Sequence, residues 1–350
     1  MSISSTLINW YLQKKRNLPW RNSENPYHIW ISEIILQQTR VAQGIGYYER
    51  FITRFPDVKS LANADLEDVL KIWQGLGYYS RARNLHTGAK YVLQQLNGNI
   101  PADYEALTKI KGIGEYTAAA IGSFAFGLPV SVVDGNVNRL ISRFFGIHEP
   151  VNSSSGSKKI KEIAGSIMDK NNPGIHNQAI MEFGALQCTI RNPDCSQCPL
   201  QNECYAFNHG ETEILPVKIK QQKIRNRYFN YLVILYHNNS YLVKRSGKDI
   251  WEGLYEFPLI ETELHTSKAQ LTESPEWQSI FEGTNHQLIQ VSPIYKHQLS
   301  HQTINAIFYL VKIENKLLNI NPNAILIEKK DIAHYPVSKL IDNYLSTIDL

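Results

Sequence analysis

Leu107-Thr108-Lys109-Ile110-Lys111-Gly112-Ile113-Gly114-Glu115-Tyr116-Thr117-Ala118 is the stretch whose reading decides the fold. Two helical patterns, over about 103–110 and 115–126, meet across a Gly-Ile-Gly turn. Glycine permits positive φ and lets a ligand approach the main chain closely. The N–H groups that open the second helix have no intrahelical partner and suit an anion. Such a turn holds a phosphate without reading base sequence. With Leu107, Ile110 and Ile113 packing the hairpin, and Thr117 and Ala118 behind it, a grip on DNA is favoured over simple punctuation between helices.

Outward from the hairpin, residues 1–215 read as nearly all helix. Asn25-Pro26 is a cap followed by proline at the first helical position, opening a helix over Tyr27–Val41. Further helices are predicted over 45–54, 63–73, 80–96, 136–145, 156–170 and 175–187, with Asn152–Lys159 as a polar loop. After Pro216 the pattern changes. Phe229–Tyr236 and Ser240–Lys244 are strand-like around a His237-Asn238-Asn239 turn, Thr303–Ile313 is a third strand, and helical patterns lie near 266–282 and 337–346. The expected division is 1–215 as one region, 216–228 as a linker and 229–350 as an α+β domain. Lys218, Lys220, Lys223, Arg225 and Arg227 make the linker basic, either as a solvated tether or as a strap on phosphates.

Composition sets bounds. Of 350 residues 43% are apolar, enough for real cores, and the net charge of +4 is too small to argue for nucleic acid by itself. The longest apolar stretch, Ala118–Val133, is broken by Gly122, Gly127 and Pro129, which excludes a spanning helix there. No signal peptide opens the chain, so a cytoplasmic protein is expected.

Two carboxylates stand out. Glu33 lies mid-helix among Ile29, Trp30 and Leu36, with Gln37 as its polar neighbour. Desolvation there raises its pKa and makes it a usable general acid, unless an arginine or backbone group pairs it. Asp134, in Val133-Asp134-Gly135-Asn136, caps the following helix, and the same position aims an ionised carboxylate at a pocket beside the hairpin, where it can stabilise an oxocarbenium-like sugar.

All four cysteines, Cys188, Cys195, Cys198 and Cys204, fall within one short stretch rich in proline. Clustered thiols in a large cytosolic protein bind metal rather than pair as disulfides. Clustering alone favours zinc over an iron–sulfur cluster. In either case the metal staples a loop with little core of its own. Arg191, within it, could also meet phosphate.

Together these residues resemble the helix-hairpin-helix glycosylases of the endonuclease III superfamily, and within it the MutY-type adenine DNA glycosylases, over nearly the whole chain. The motifs are Leu18-Pro19-Trp20-Arg21, Ser32-Glu33-Ile34-Ile35-Leu36-Gln37-Gln38-Thr39, Gly75-Leu76-Gly77-Tyr78-Tyr79-Ser80-Arg81, the hairpin, Val133-Asp134-Gly135-Asn136 and the C-x6-C-x2-C-x5-C spacing. The resemblance implies a mainly α N-terminal region, a six-helix barrel plus an iron–sulfur domain whose 188–204 loop holds a [4Fe-4S] cluster. An α+β Nudix-like domain that recognises 8-oxoguanine follows, and Trp251-Glu252-Gly253-Leu254-Tyr255-Glu256-Phe257-Pro258 carries that part. It also implies a monomeric, nucleoid-acting bacterial enzyme that removes adenine mispaired with 8-oxoguanine or guanine by base flipping, with no membrane partner. Glu33 would protonate the adenine N7, Asp134 would stabilise the sugar cation, and Tyr116 and Asn136 would orient the carboxylates and water. Trp20, Arg21 and Leu36 would line the adenine pocket. Gln38, Thr39, Leu76 and Tyr78 would fill the gap in the stack, while Arg81, Gly112 and Gly114, with Ser300 and His301, complete the DNA contacts.

Other readings stay distinguishable. Lyase relatives carry a lysine nucleophile where Tyr116 stands, and a phenol cannot form a Schiff base. The metal-binding acidic box of Nudix hydrolases is missing, since Glu261 and Glu263 do not make its paired-glutamate helix. A non-catalytic DNA-binding protein has no need of Glu33 and Asp134 as carboxylates. The family's Phe-Ser-His loop reads Leu299-Ser300-His301 here, which bears on how that loop packs.

Overall fold

A computed structural model describes residues 2–21, 23–219, 224–317 and 320–348. The chain divides into two units, 1–63 with 84–220, and 64–83 with 221–350. The segment 64–83, expected within the helical region, therefore belongs with the C-terminal residues.

The helices run α1 (Ile3–Lys14), α2 (Pro26–Leu36), α3 (Val41–Arg54), α4 (Val58–Asn63), α5 (Leu66–Ile72), α6 (Ser80–Gln95), α7 (Tyr104–Thr108), α8 (Glu115–Phe126), α9 (Gly135–Phe145), α10 (Ser154–Ile167), α11 (Pro173–Leu186) and α12 (Tyr205–Asn208). The Asn25 side chain accepts from the Tyr27 N–H at 2.9 Å, and Pro26 opens α2 as expected. Of the nine positions Tyr27–Ile35 of α2 all but His28 are buried, so the helix is covered on all sides and shows no amphipathic period. In contrast, α9 buries one face: Val137, Leu140, Ile141 and Phe144 pack with Ala179, Ile180 and Phe183 of α11 and with Leu7 and Tyr11 of α1. Each such large side chain contributes about 1.5–3 kcal/mol on burial, against the entropy of ordering the chain. The polar 152–159 stretch is not a loop throughout. Ser153 accepts from the Gly156 N–H and starts α10 at Ser154.

In the second unit an eight-stranded sheet has the order β3-β2-β1-β7-β5, with β4 also on β1, β6 on β7 and β8 on β2. Its strands are β1 (Arg225–Tyr236), β2 (Asn239–Lys244), β3 (Tyr255–Glu256), β4 (Leu259–Thr262), β5 (His286–Val291), β6 (Tyr295–Gln298), β7 (Gln302–Ile313) and β8 (Ala324–Glu328). The long parallel pair β1 and β7 runs from Arg225 opposite Gln302 to Tyr236 opposite Ile313. Short helices α13 (Lys268–Thr272), α14 (Pro275–Ile280) and α15 (Lys339–Leu345) complete the unit. Leu271 and Trp277 join Leu232, Ile234, Tyr309 and Val311 in its core.

The basic stretch is not a uniform strap. Arg225 and Arg227 are already strand residues, and Arg227 is 7% exposed, its guanidinium paired with Asp249 and Glu261 at 2.8 and 2.7 Å. It is thus unavailable to phosphate. Lys218 is exposed, whereas Lys220 and Lys223 lie outside the described residues.

Candidate active site

The hairpin forms as its sequence indicates. α7 and α8 flank the turn, and Leu107, Ile110 and Ile113 are buried. The two glycines differ in what they do. Gly112 has φ +88°, and a Cβ there would sit 3.0 Å from the Asn84 Cβ. Gly114 has ordinary extended φ and caps α8, with open space where its Cβ would be. Gly112 therefore makes the turn, and Gly114 leaves the N–H groups of α8 accessible.

Behind the hairpin, one cavity of about 610 Å³ in the helical unit is lined by both predicted carboxylates. Glu33, from α2, is 7% exposed, and its Oε2 accepts from the Tyr116 hydroxyl at 2.7 Å. Burial, reinforced by the charge of Asp134, pushes its carboxyl up to about 7, against the lowering influence of the Tyr116 bond and Arg21. Burial also holds Tyr116 well above the usual phenol range, so it remains a donor.

Asp134 caps α9. Its Oδ1 accepts from the N–H groups of Asn136 and Val137 at 2.9 and 2.8 Å, and its Oδ2 accepts from Asn136 Nδ2 at 2.8 Å. Burial raises its pKa too, but these donors and Arg139 oppose the rise. Asn136 is itself fixed: its Oδ1 accepts from Arg139 Nη2 at 2.9 Å, and a Cβ on Gly184 would lie 2.8 Å from its Cβ. The same Arg139 donates through Nε to the Cys188 carbonyl at 2.6 Å.

Trp20, Arg21, Leu36, Gln38 and Thr39 line the same cavity. Sequence reasoning missed Arg16, Gln178, Met181 and Glu182, which line it as well. Glu182 is 1% exposed and receives two hydrogen bonds from Arg21, at 2.8 and 2.5 Å, plus two from the Arg16 guanidinium at 2.9 and 2.6 Å. Burial would raise its pKa, but the arginines overcome burial and hold it at about 2. Tyr11 donates to Gln178 Oε1 at 2.5 Å and lies under the Arg21 guanidinium. These partners come from α11, far along the chain, and no local spacing announces them.

Leu76, Tyr78, Arg81, Ser300 and His301 belong to the second unit. Gly75, Gly77 and Tyr78 have φ of +90°, +78° and +48° and fold a tight loop. Its side chains differ in where they point. Leu76 is 7% exposed and packs inward, which leaves Tyr78, 45% exposed, as the side chain presented outward. Arg81 is turned into its own loop, donating to the Gly77 carbonyl at 3.1 Å and lying over the Trp73 ring, and burial brings its guanidinium down to about 10. Ser300 and His301 are exposed between β6 and β7, with Ser300 Oγ 3.1 Å from His301 Nδ1. Glu261 lies on β4, bound to Arg227.

The four cysteines border one small cavity together with Leu140, Phe144, Phe183 and Leu200. Arg143 closes it from α9, donating to the Cys188 Sγ at 3.4 Å and to the Thr189 and Ile190 carbonyls at 2.6 and 3.1 Å. Among the described residues no three cysteine, histidine or carboxylate side chains converge on the geometry of a single ion.

Two carboxyl groups lining one cavity are what cleavage of a glycosidic bond asks of a protein, and the hairpin supplies a hold on phosphate. The class so defined is the base-excision glycosylase of helix-hairpin-helix type. A family model described as "HhH-GPD superfamily base excision DNA repair protein" matches residues 31–173, and one described as "NUDIX domain" matches 230–347. The adenine DNA glycosylase of Buchnera aphidicola from Schizaphis graminum is 35% identical over 314 residues, 89% of this chain and 87% of that protein. The Homo sapiens adenine DNA glycosylase is 43% identical over 60% of this chain and 40% of its own length. The structure of a thermostable thymine-DNA glycosylase aligns with a TM-score of 0.55 at 28% identity, covering 59% of this chain and 95% of that one. A non-covalent endonuclease III–DNA complex aligns at 0.52 and 22% identity, over 59% of this chain and 94% of its own, and shares the fold. The chain belongs to the adenine DNA glycosylase family, and with it to the enzymes of base excision repair that bind DNA and cleave an N-glycosidic bond. No helix among the described residues is long and apolar enough to cross a membrane.

Proposed function

We propose that the chain is a monofunctional glycosylase that hydrolyses the N-glycosidic bond of adenine mispaired with 8-oxoguanine or guanine. The observation that carries this reading is the Glu33 carboxyl, balanced near neutrality and hydrogen-bonded by Tyr116 in the cavity that Asp134 also lines. A flipped adenine enters that cavity. Glu33 donates its proton to N7, the C1′–N9 bond breaks with its electron pair leaving on the base, and the Asp134 carboxylate stabilises the sugar cation until water adds at C1′ and gives up a proton to the Glu33 carboxylate formed in the first step. Among the described residues that line the cavity there is no lysine, in keeping with hydrolysis rather than Schiff-base chemistry.

Duplex DNA carrying one adenine opposite 8-oxoguanine tests the reading: free adenine is expected, with strand breakage only after alkali. Breakage without alkali, or no adenine release, overturns it. The pH profile follows from the same carboxyl. Glu33 must hold its proton, so single-turnover excision is expected to fall as pH rises through about 7. A rate unchanged from pH 6 to 8.5 would remove Glu33 from the acid role.

Ser300 and His301 are proposed to meet the oxidised base, as an exposed hydroxyl and imidazole beside each other. Replacing both by alanine is expected to erode the preference for adenine opposite 8-oxoguanine over adenine opposite guanine, by roughly tenfold for two lost hydrogen bonds. An unchanged ratio of the two excision rates refutes the assignment.

For the cysteines we propose a [4Fe-4S] cluster held by Cys188, Cys195, Cys198 and Cys204. A cubane takes one thiolate at each of four irons, so its ligands surround a volume rather than a point, as these four side chains do around their cavity. When bound, the cluster supplies structural cross-linking of a loop that has few buried side chains of its own. Cys198→Ser is expected to lower iron and acid-labile sulfide content and the visible absorbance together; full metal content in that variant rejects the ligand set.

A further inference from the structure

The loop that carries Tyr78 lies in the helical part of the sequence yet folds as part of the C-terminal unit. Residues 64–83 are joined to it by a built set of polar contacts. Glu67, on α5, accepts from Lys244 Nζ of β2 at 2.7 Å and from the Tyr255 hydroxyl of β3 at 2.9 Å. Lys71 donates to the carbonyls of Ala333 and Tyr335 at 2.5 and 3.2 Å and to Gln74 Oε1 at 3.1 Å, so its three N–H groups all find acceptors. Gln74 reaches Asp342 Oδ1 of α15 at 3.2 Å. Arg83 donates to the Glu252 carbonyl at 2.7 Å and pairs with its carboxylate at 3.1 Å. Tyr79, whose hydroxyl accepts from the Gly75 N–H at 3.3 Å, donates to the Val337 carbonyl at 3.3 Å. Contacts therefore bracket the Gly75–Arg81 turn on both sides, while Tyr78 stays outward.

We propose that Glu67, Lys71 and Arg83 are positioning residues for mispair discrimination. They make the Tyr78 loop and the Ser300-His301 turn parts of one body, so that engagement of the lesion by one and entry of Tyr78 into the base stack are a single event. This rests on the proposed DNA contacts of Tyr78 and Ser300-His301. Its physical basis is general: residues held in one rigid network act on a substrate together, and their effects are not additive. Separate loops on flexible tethers would contribute independently.

A double-mutant cycle on the full-length protein tests it. Tyr78→Ala, Ser300→Ala with His301→Ala, and their combination are compared by single-turnover excision of adenine opposite 8-oxoguanine. In the native background the combination is expected to cost less than the product of its parts, by about tenfold. The cycle is then repeated in Lys71→Met with Glu67→Met, substitutions that remove the polar joints, since neither side chain can then donate or accept, while keeping much of the side-chain volume. There the coupling is expected to fall to within about twofold of none, and the preference for 8-oxoguanine over guanine is expected to drop. Hydrogen exchange of the 64–83 amides in that background supplies a second readout, expected to quicken while the amides of α2 and α9 do not. Independent effects in the native background, or coupling that persists after the amides have loosened, overturn the proposal. No effect from Tyr78→Ala alone overturns the reading of the loop as a DNA contact and the proposal with it. A loss from Tyr78→Ala that is uncoupled overturns only the proposal.

Discussion

Glu33→Gln is expected to abolish adenine excision, by at least about 10³-fold in single turnover, while leaving binding to mispaired DNA within a few fold. The amide matches the carboxyl in shape and still accepts from Tyr116, so the cavity is preserved, but it has no acidic proton to give. The same change has a sign on stability that a merely disruptive substitution lacks. In the folded chain Glu33 keeps its proton up to about pH 7, whereas the unfolded chain releases it near its ordinary 4.5. Native stability from this group is intact below pH 4.5, declines as pH rises toward 7, and is constant beyond. The loss is on the order of 3 kcal/mol. Glutamine has no charge to desolvate, so the variant should match the native protein in thermal melts at pH 4.5 and exceed it at pH 8. Retained excision, or a variant less stable at pH 8, contradicts the description of Glu33 as a buried acid.

How far the sequence carried the reading depended on whether the information was local. The hairpin was legible because glycine, helix starts and apolar spacing lie within a dozen residues, and Asp134 because a cap and its helix are neighbours. Glu33 was legible because its burial follows from Ile29, Trp30 and Leu36 on the same helix. By contrast, the Glu182 pair needs Arg16 and Arg21 to meet a residue more than 160 positions away, which no spacing encodes. The acceptors of Arg81 and Arg227 were hidden for a related reason: a basic residue in a loop or linker reads as solvated or as a phosphate contact until its partners in the fold are seen. The transfer of 64–83 to the C-terminal unit was hidden because α5 has the same helical pattern as its neighbours, and its partners are strands and carbonyls over a hundred residues later. The strands β4, β5, β6 and β8 were missed because they are short and largely half-exposed, their pairing fixed by β1, β7 and β2 rather than by alternation of their own.

Asp134→Asn is the companion prediction, and its outcome separates the two tasks of that side chain. As a cap, asparagine nearly suffices: its Oδ1 can still accept from the Asn136 and Val137 N–H groups, so α9 should persist. The other atom is the difficulty. Where Oδ2 accepts from Asn136 Nδ2, the variant places a second donor, and Asn136 cannot simply turn over because its Oδ1 is held by Arg139. One hydrogen bond is therefore lost at a half-buried position, at a cost of roughly 1–2 kcal/mol, well short of unfolding. Excision is expected to suffer far more, by about 10³-fold, because the developing cation at C1′ would then face a neutral dipole in place of a carboxylate. Thermal melts and single-turnover rates on the same preparation settle the matter: a small drop in melting temperature with a large drop in rate supports a carboxylate acting on the sugar. A rate loss no larger than the melting change accounts for would leave Asp134 as a helix cap and nothing more.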